Sequence, residues 1–293
     1  MRLILHLGAQ GTDDEVIAAW MAENRAHFAA NGLCAPAPDA FLQAISAALD
    51  DPKADPKTRE ESVLRGLGAS GARRWLSVSA PGLLGAASDI LTPEGFYVRD
   101  VARRLHGLGT LFSRCEVTLL LAIRSASGFL PAVLPDAPEA LAERLSHLGG
   151  DTLPWAQLVR TIRRQIPQAR LVVWRHEDFE SQWPRILSLM AGPVTNAPPA
   201  GLLRIAARGL SAQVQLRLQR YCAANPPASF GHLRRVVASF GAHYGLSQPP
   251  NTEAPLPAWA LREFARLDQG YATEWADIVG QTGVRALQAT PAG

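Results

Sequence analysis

The first residues with the types and spacing for chemistry are His6-Leu7-Gly8-Ala9-Gln10-Gly11-Thr12. They close an apolar run, Leu3, Ile4, Leu5 and Leu7, and open an amphipathic stretch. A glycine-rich turn between a strand and a helix can cradle a phosphate. Its backbone N–H groups point outward, and the helix dipole favours an anion. The spacing is not the G-x-x-x-x-G-K-[ST] of a Walker loop. The same residues fit a second role. Thr12 as N-cap and Glu15 at the third helical position match a capping box. Asp13 and Asp14 then fall in the first turn, where each stabilises the helix by roughly 0.3–1 kcal/mol. The turn either holds an anion or only starts a helix that already carries its own.

Arg124 is the next candidate. It ends the run Glu116-Val-Thr-Leu-Leu-Leu-Ala-Ile-Arg124, with Ser125 and Ser127 behind it. A strand-terminal Arg either binds a ligand anion or pairs with a carboxylate. The two hydroxyls either reach a phosphate or cap the next helix. His176-Glu177-Asp178 follows a second apolar run and reads as a group that starts a helix or braces a loop. His6 is a core histidine or a general base beside the turn. The seven His show no HExxH or paired spacing, so no metal site is expected. Cys34, Cys115 and Cys222 are odd in number and far apart, which indicates neither a disulfide framework nor a zinc knuckle. No G-x-S-x-G nucleophile elbow occurs.

The elements that must position these groups follow from periodicity. Residues 2–8, 74–79, 116–124 and 169–174 read as strands. Unbroken apolar runs such as 117–123 suggest parallel strands covered on both faces. Helices are expected at 13–31, with Ile17, Trp20, Met21, Asn24 and Phe28 on one face, and at 39–49, 57–68 and 92–108. Further helices are expected at 127–134, 136–147, 154–166, 181–191, 201–223, 230–244 and 257–278. The alternation implies a three-layer α/β domain, its mostly parallel sheet flanked by helices. One domain over 1–280 is expected, helical from about 200, with a frayed tail at 281–293. The loops at the strand C-termini then share one edge, where ligands bind.

Composition limits the chemistry further. The 293 residues are 47% hydrophobic and 19% charged, which is globular and neither disordered nor membrane-spanning. The N-terminus does not read as a signal peptide, so a cytoplasmic protein is expected. The net charge of +3 rests almost wholly on Arg, because Lys53 and Lys57 are the only lysines. From Ser181 to Thr252 there is no acid, yet seven Arg fall there. On a single helix, Arg204, Arg208 and Arg220 lie near one face. That face either receives an anionic partner or is balanced by acids from other segments, such as Asp50, Asp51 and Asp55. Nucleic acid is not expected, since no recognition motif accompanies it.

Four stretches in order resemble the bacterial sulfotransferase family. The family begins with a strand ending His-Ile-Gly-x-x-Lys-Thr-Gly-Thr-Thr, then a helix with a phrase like "AANRxxLAAxGxxYP". Here stand His6–Glu15 and Ala22-Glu-Asn-Arg-Ala-His-Phe-Ala-Ala-Asn-Gly-Leu-Cys-Ala-Pro36. Leu121–Leu130 is similar to the family's strand ending in Arg, Trp155–Phe179 to its "pdaelvvwryEdf" strand, and Pro257–Asp277 to its last helix, with Tyr271. The resemblance implies a P-loop-like fold and sulfuryl transfer from 3′-phosphoadenosine 5′-phosphosulfate (PAPS) to a carbohydrate or small-molecule hydroxyl or amine. By position Gly8, Ala9, Gln10, Gly11 and Thr12 would hold the phosphosulfate and Arg124, with Ser127, the 3′-phosphate. Other positions depart from the pattern. The loop lysine is Gly11, Gly-Thr-Thr is Asp13-Asp14-Glu15, and the 3′-phosphate Ser is Ala132. Losing such an electrostatic group costs about 10² to 10³ in rate. Two functions follow as expectations: a weak or inactive sulfotransferase, or a non-catalytic binding protein using the Arg-rich C-terminal surface.

Overall fold

In the computed structural model, the described residues are 1–12, 16–50, 55–69, 74–86, 89–92, 95–97, 100–133, 138–194, 201–228, 230–245 and 257–288. The first strand, β1 (Arg2–His6), is followed by α1 (Val16–Glu23), α2 (Arg25–Ala30), β2 (Leu33–Cys34), α3 (Pro38–Asp50), α4 (Pro56–Gly66) and β3 (Trp75–Ser79). A small hairpin, β4 (Leu91–Thr92) and β5 (Gly95–Phe96), precedes α5 (Val101–Leu111) and β6 (Glu116–Ile123). Next come α6 (Ala126–Val133), α7 (Pro138–Ser146), α8 (Trp155–Gln165), β7 (Arg170–Arg175), a 3₁₀ turn at His176–Asp178 and α9 (Phe179–Ala191). The chain continues through α10 (Leu202–Ala206), α11 (Ala212–Ala224), α12 (Phe230–Tyr244), α13 (Ala258–Asp268), α14 (Tyr271–Gly280) and β8 (Val284–Leu287).

Six strands form one all-parallel sheet in the order β2-β3-β1-β6-β7-β8. Parallel neighbours need crossovers, and the crossover helices cover both faces. Side chains alternate accordingly. Leu3, Leu5, Leu119, Leu121, Leu171 and Val173 enter one core with α3, α5, α8 and α13. Ile4, Leu120, Ala122, Val172 and Trp174 enter the other with α1, α2 and α9. Both cores are built from fully buried side chains, so the apolar runs seen in the sequence are the signature of a doubly covered sheet.

Several expected elements differ. The helix expected at 13–31 is divided at Asn24, whose amide donates to the Trp20 carbonyl at 2.9 Å. The helix expected from 92 is instead the β4–β5 hairpin, and α5 starts only after Asp100 at φ +60°. The helix expected over 201–223 is two helices, because Ser211 caps a fresh start by accepting from Val214 N–H at 3.4 Å. Residues 257–278 likewise form α13 and α14, parted at Gln269 and Gly270. The expected tail contains β8, which pairs with β7 from Leu171↔Val284 to Trp174↔Leu287.

Candidate functional site

The C-terminal ends of β1, β3, β6 and β7 bring four segments to one edge of the sheet: Gly8–Thr12, Ala80–Gly85, Arg124–Ser127 and His176–Asp178. Parallel register makes this edge common to all four, as the sequence reading requires.

The glycine turn has a conformation only glycine takes easily. Gly8 has φ +55°, and a Cβ there would stand 2.9 Å from the Pro81 backbone. Gly11 has φ +74°, and a Cβ would meet Val133 at 2.9 Å and Ala132 at 3.1 Å. The Gln10 and Thr12 side chains and the Thr12 N–H of the turn bond within the chain. Thr12 N–H and Oγ1 both donate to the Ala9 carbonyl, at 3.2 and 2.5 Å. Gln10 Nε2 donates to the Gly85 carbonyl at 2.8 Å, and Gln10 Oε1 accepts from the Tyr97 hydroxyl at 2.7 Å. Burial holds the Tyr97 phenol well above its ordinary pKa, so it remains a donor. Thr12 is fully buried, and the Thr12 carbonyl meets His176 Nδ1. Asp13, Asp14 and Glu15, the acids of the expected capping box, lie outside the described residues, as does Lys53. Lys57 is exposed in the first turn of α4, its N–H on Asp55.

Arg124 does stand beside the turn. Its Nη1 donates to the Gly11 carbonyl at 2.5 Å, and its own carbonyl accepts from Trp155 Nε1 at 3.0 Å. The start of α6 behind it is occupied by carboxylates of the chain. Glu177 Oε1 accepts from Ser125 N–H at 2.9 Å. Asp268 Oδ1, on the last residue of α13, accepts from Ala126 N–H at 2.6 Å and Ser127 N–H at 3.3 Å. Tyr271 donates to Glu177 Oε2 at 3.0 Å. Partial burial works against the Glu177 charge, but the Ser125 and Tyr271 hydrogen bonds prevail and hold its pKa below the ordinary value. Tyr271, half-buried beside that charge, is raised far above the ordinary phenol.

The next helix repeats the device. Glu274 Oε1 accepts from Ala156 N–H at 2.9 Å in the first turn of α8. Burial lifts Glu274 to about 7, and its second oxygen has no hydrogen-bond partner among the described residues. Arg175 and Asp178 form a two-bond pair at 2.8 and 3.1 Å, and Arg175 stacks over Trp275. Glu177 and Asp178 therefore brace loops.

His6 is fully buried. It lies 2.8 Å from Ser79 Oγ through Nδ1 and stacks on Trp174 at 5.6 Å. This enclosure is that of a core histidine. The shared Arg face is also corrected. Arg204 lies in α10, Arg208 in the turn after it and Arg220 in α11, because the helix is broken at Ser211. Arg204 pairs with Glu23 at 2.7 Å, and Arg208 stacks over Phe179 at 5.3 Å. Among the described residues, Glu23 meets this segment and Glu180 lies near Arg208. Asp268 and Glu274 were missed in the sequence; the only signal was an acid at each end of a segment interrupted by Gly270.

Among the described residues no group of three or more His, Cys, Asp or Glu is gathered as a metal site. No helix among them is long and apolar enough to cross a membrane. The chain matches no protein-family model, no curated protein and no solved structure.

Proposed function

We propose that the chain is a non-catalytic binding protein on a sulfotransferase-like scaffold. The observation that carries this reading is the engagement of Arg124 and the α6 start. Arg124 donates to the Gly11 carbonyl, and Asp268 takes the amides of Ala126 and Ser127. A donor's 3′-phosphate would need that guanidinium and those amides. It would meet a carboxylate where it requires donors, and displacing Asp268 would leave an unpaired charge.

The residues present therefore do not fit PAPS. The turn has no lysine, and the sequence supplies Asp13, Asp14 and Glu15 where the family has Gly-Thr-Thr. As the S–O bond of the donor breaks, the departing nucleotide 5′-phosphate would lack the positive charge that lowers the barrier. The sheet edge acts as a lock that fixes α6, α8, α13 and α14 to the strand ends.

One observation favours the other reading, a transferase that opens this lock. Arg124 stands against the glycine turn, where the resemblance puts the 3′-phosphate ligand. Calorimetric titration with 3′-phosphoadenosine 5′-phosphate at low salt separates the two. No heat of binding up to millimolar concentration is expected. Micromolar binding that vanishes in Arg124→Ala would overturn the non-catalytic reading.

A further inference from the structure

A cavity bounded by described residues lies away from the strand ends. It has a volume of about 790 Å³ and opens between α9, the α10–α11 turn and α12. That is within the range of small-molecule sites. Trp183, Ala206, Leu210, Val237 and Gly241 form an apolar wall, and Gly209 and Ala238 keep it wide. Arg234 and Arg235, both exposed, stand at its border with Glu180.

A smaller cleft of about 210 Å³ adjoins it. Ser181, Gln182, Pro184, Arg185 and Arg234 line this cleft, so Arg234 belongs to both spaces. The cleft is polar where the cavity is apolar. Gln182 is only 2% exposed, and its Oε1 has no donor among the described residues. Its Nε2 is fixed on Ser181 Oγ and the Gln288 carbonyl, at 3.1 and 3.0 Å, so the amide is not free to turn. A buried acceptor without a donor is uncommon and calls for a partner.

The charge balance decides the class of ligand. Glu180 is the one acid lining either space among the described residues, and Arg208 acts directly on it. Arg185, Arg234 and Arg235 remain in excess, within a segment that holds no acid from 181 to 252. Guanidinium groups beside an apolar chamber suit a carboxylate, phosphate or sulfate on an apolar body.

We infer that the cavity and its adjoining cleft form one binding site for an amphiphilic organic anion. The apolar body lies against Trp183 and Leu210, and the head group lies on Arg234, with Arg185 and Arg235 beside it. This deepens the binding-protein reading and rests on it for its place in the chain's function. The groups involved share none of the sheet-edge contacts, so the two can fail separately.

The test uses the full chain and dodecanoate below its micelle-forming concentration, by calorimetry at low salt. Saturable one-to-one binding at micromolar concentration is expected. Dodecanol, lacking the charge, and the Arg234→Ala/Arg235→Ala double variant should each bind at least tenfold more weakly. Ala238→Phe, placed in an exposed lining position, should abolish binding. Equal affinity for dodecanol would overturn the anionic part, and unchanged binding in Ala238→Phe would overturn the site. A chain that sediments as a dimer, and as a monomer after Ala238→Phe, would assign the cavity to a second copy and overturn the proposal. If Ala238→Phe loses native circular dichroism, the exposed double variant carries the test alone. The 3′-phosphoadenosine 5′-phosphate titration reports on the sheet edge independently.

Discussion

The sheet edge and the α9–α12 cavity are opposite solutions to the same problem of placing charge. At the edge, Arg124 is turned inward onto a carbonyl, and Glu177, Asp268 and Glu274 each take the backbone amides of a helix start or the loop before it. At the cavity, arginines stand exposed around an apolar wall. The first arrangement spends its electrostatics on holding the fold, and the second leaves them at the surface. The resemblance in the sequence points to the first region; the concave, uncommitted chemistry lies in the second.

The comparison breaks most readily at the turn. Gly8→Val forces a branched side chain into φ +55° and against the Pro81 backbone. A loss of about 3 kcal/mol is expected from strain and overpacking, read from the urea midpoint. A neutral result would mean that the turn is not the fixed element described. Asp268→Ala leaves the amides of Ala126 and Ser127 without their acceptor. It should cost about 1–2 kcal/mol. It also sharpens the contrast: inorganic phosphate should raise the melting temperature of this variant and not that of the parent chain.

Glu274 supplies a pH test of the same region. Its folded pKa is about 7, above the 4.5 of the ordinary carboxyl. Between those values the folded chain binds the extra proton, so stability falls as pH rises from about 4.5 to 7. The span is on the order of 1–3 kcal/mol. Glu274→Gln keeps an acceptor for Ala156 N–H and should flatten this slope, giving a more stable protein at pH 8 than the parent. A slope unchanged in the variant would assign it to another group. The smallest effect belongs to the Arg-rich segment. Arg204→Ala removes an exposed pair with Glu23 and should change stability by less than about 0.5 kcal/mol.

What was legible in the sequence follows the strength of local signals. β1, β3, β6 and β7 announce themselves, because a strand covered on both faces must be apolar throughout. β2 has two residues and β8 reads Val-Arg-Ala-Leu, so neither carries a run long enough to see. Thr92 and Pro93 resemble a helix start, yet Leu91 and Thr92 pair with Phe96 and Gly95 across a tight hairpin. The glycine turn and Arg124 were found from the chain alone, and they do meet. The engagement around them was not legible, because it depends on Gly85 and Tyr97 at the turn and on Glu177 and Asp268 at the start of α6, which arrive from distant segments. Spacing along the chain says which groups could gather, and only packing says which of them are already taken.

Asp268 also has a kinetic meaning. Its bond to Ala126 N–H joins residues 142 positions apart. Closing so long a loop carries an entropic cost that nearby contacts do not repay at once. The start of α6 can be sheltered only after α13 has docked. Amide exchange at Ala126 is thus a clock for the arrival of the C-terminal helices, and in Asp268→Ala that clock should run fast while exchange inside β6 stays slow.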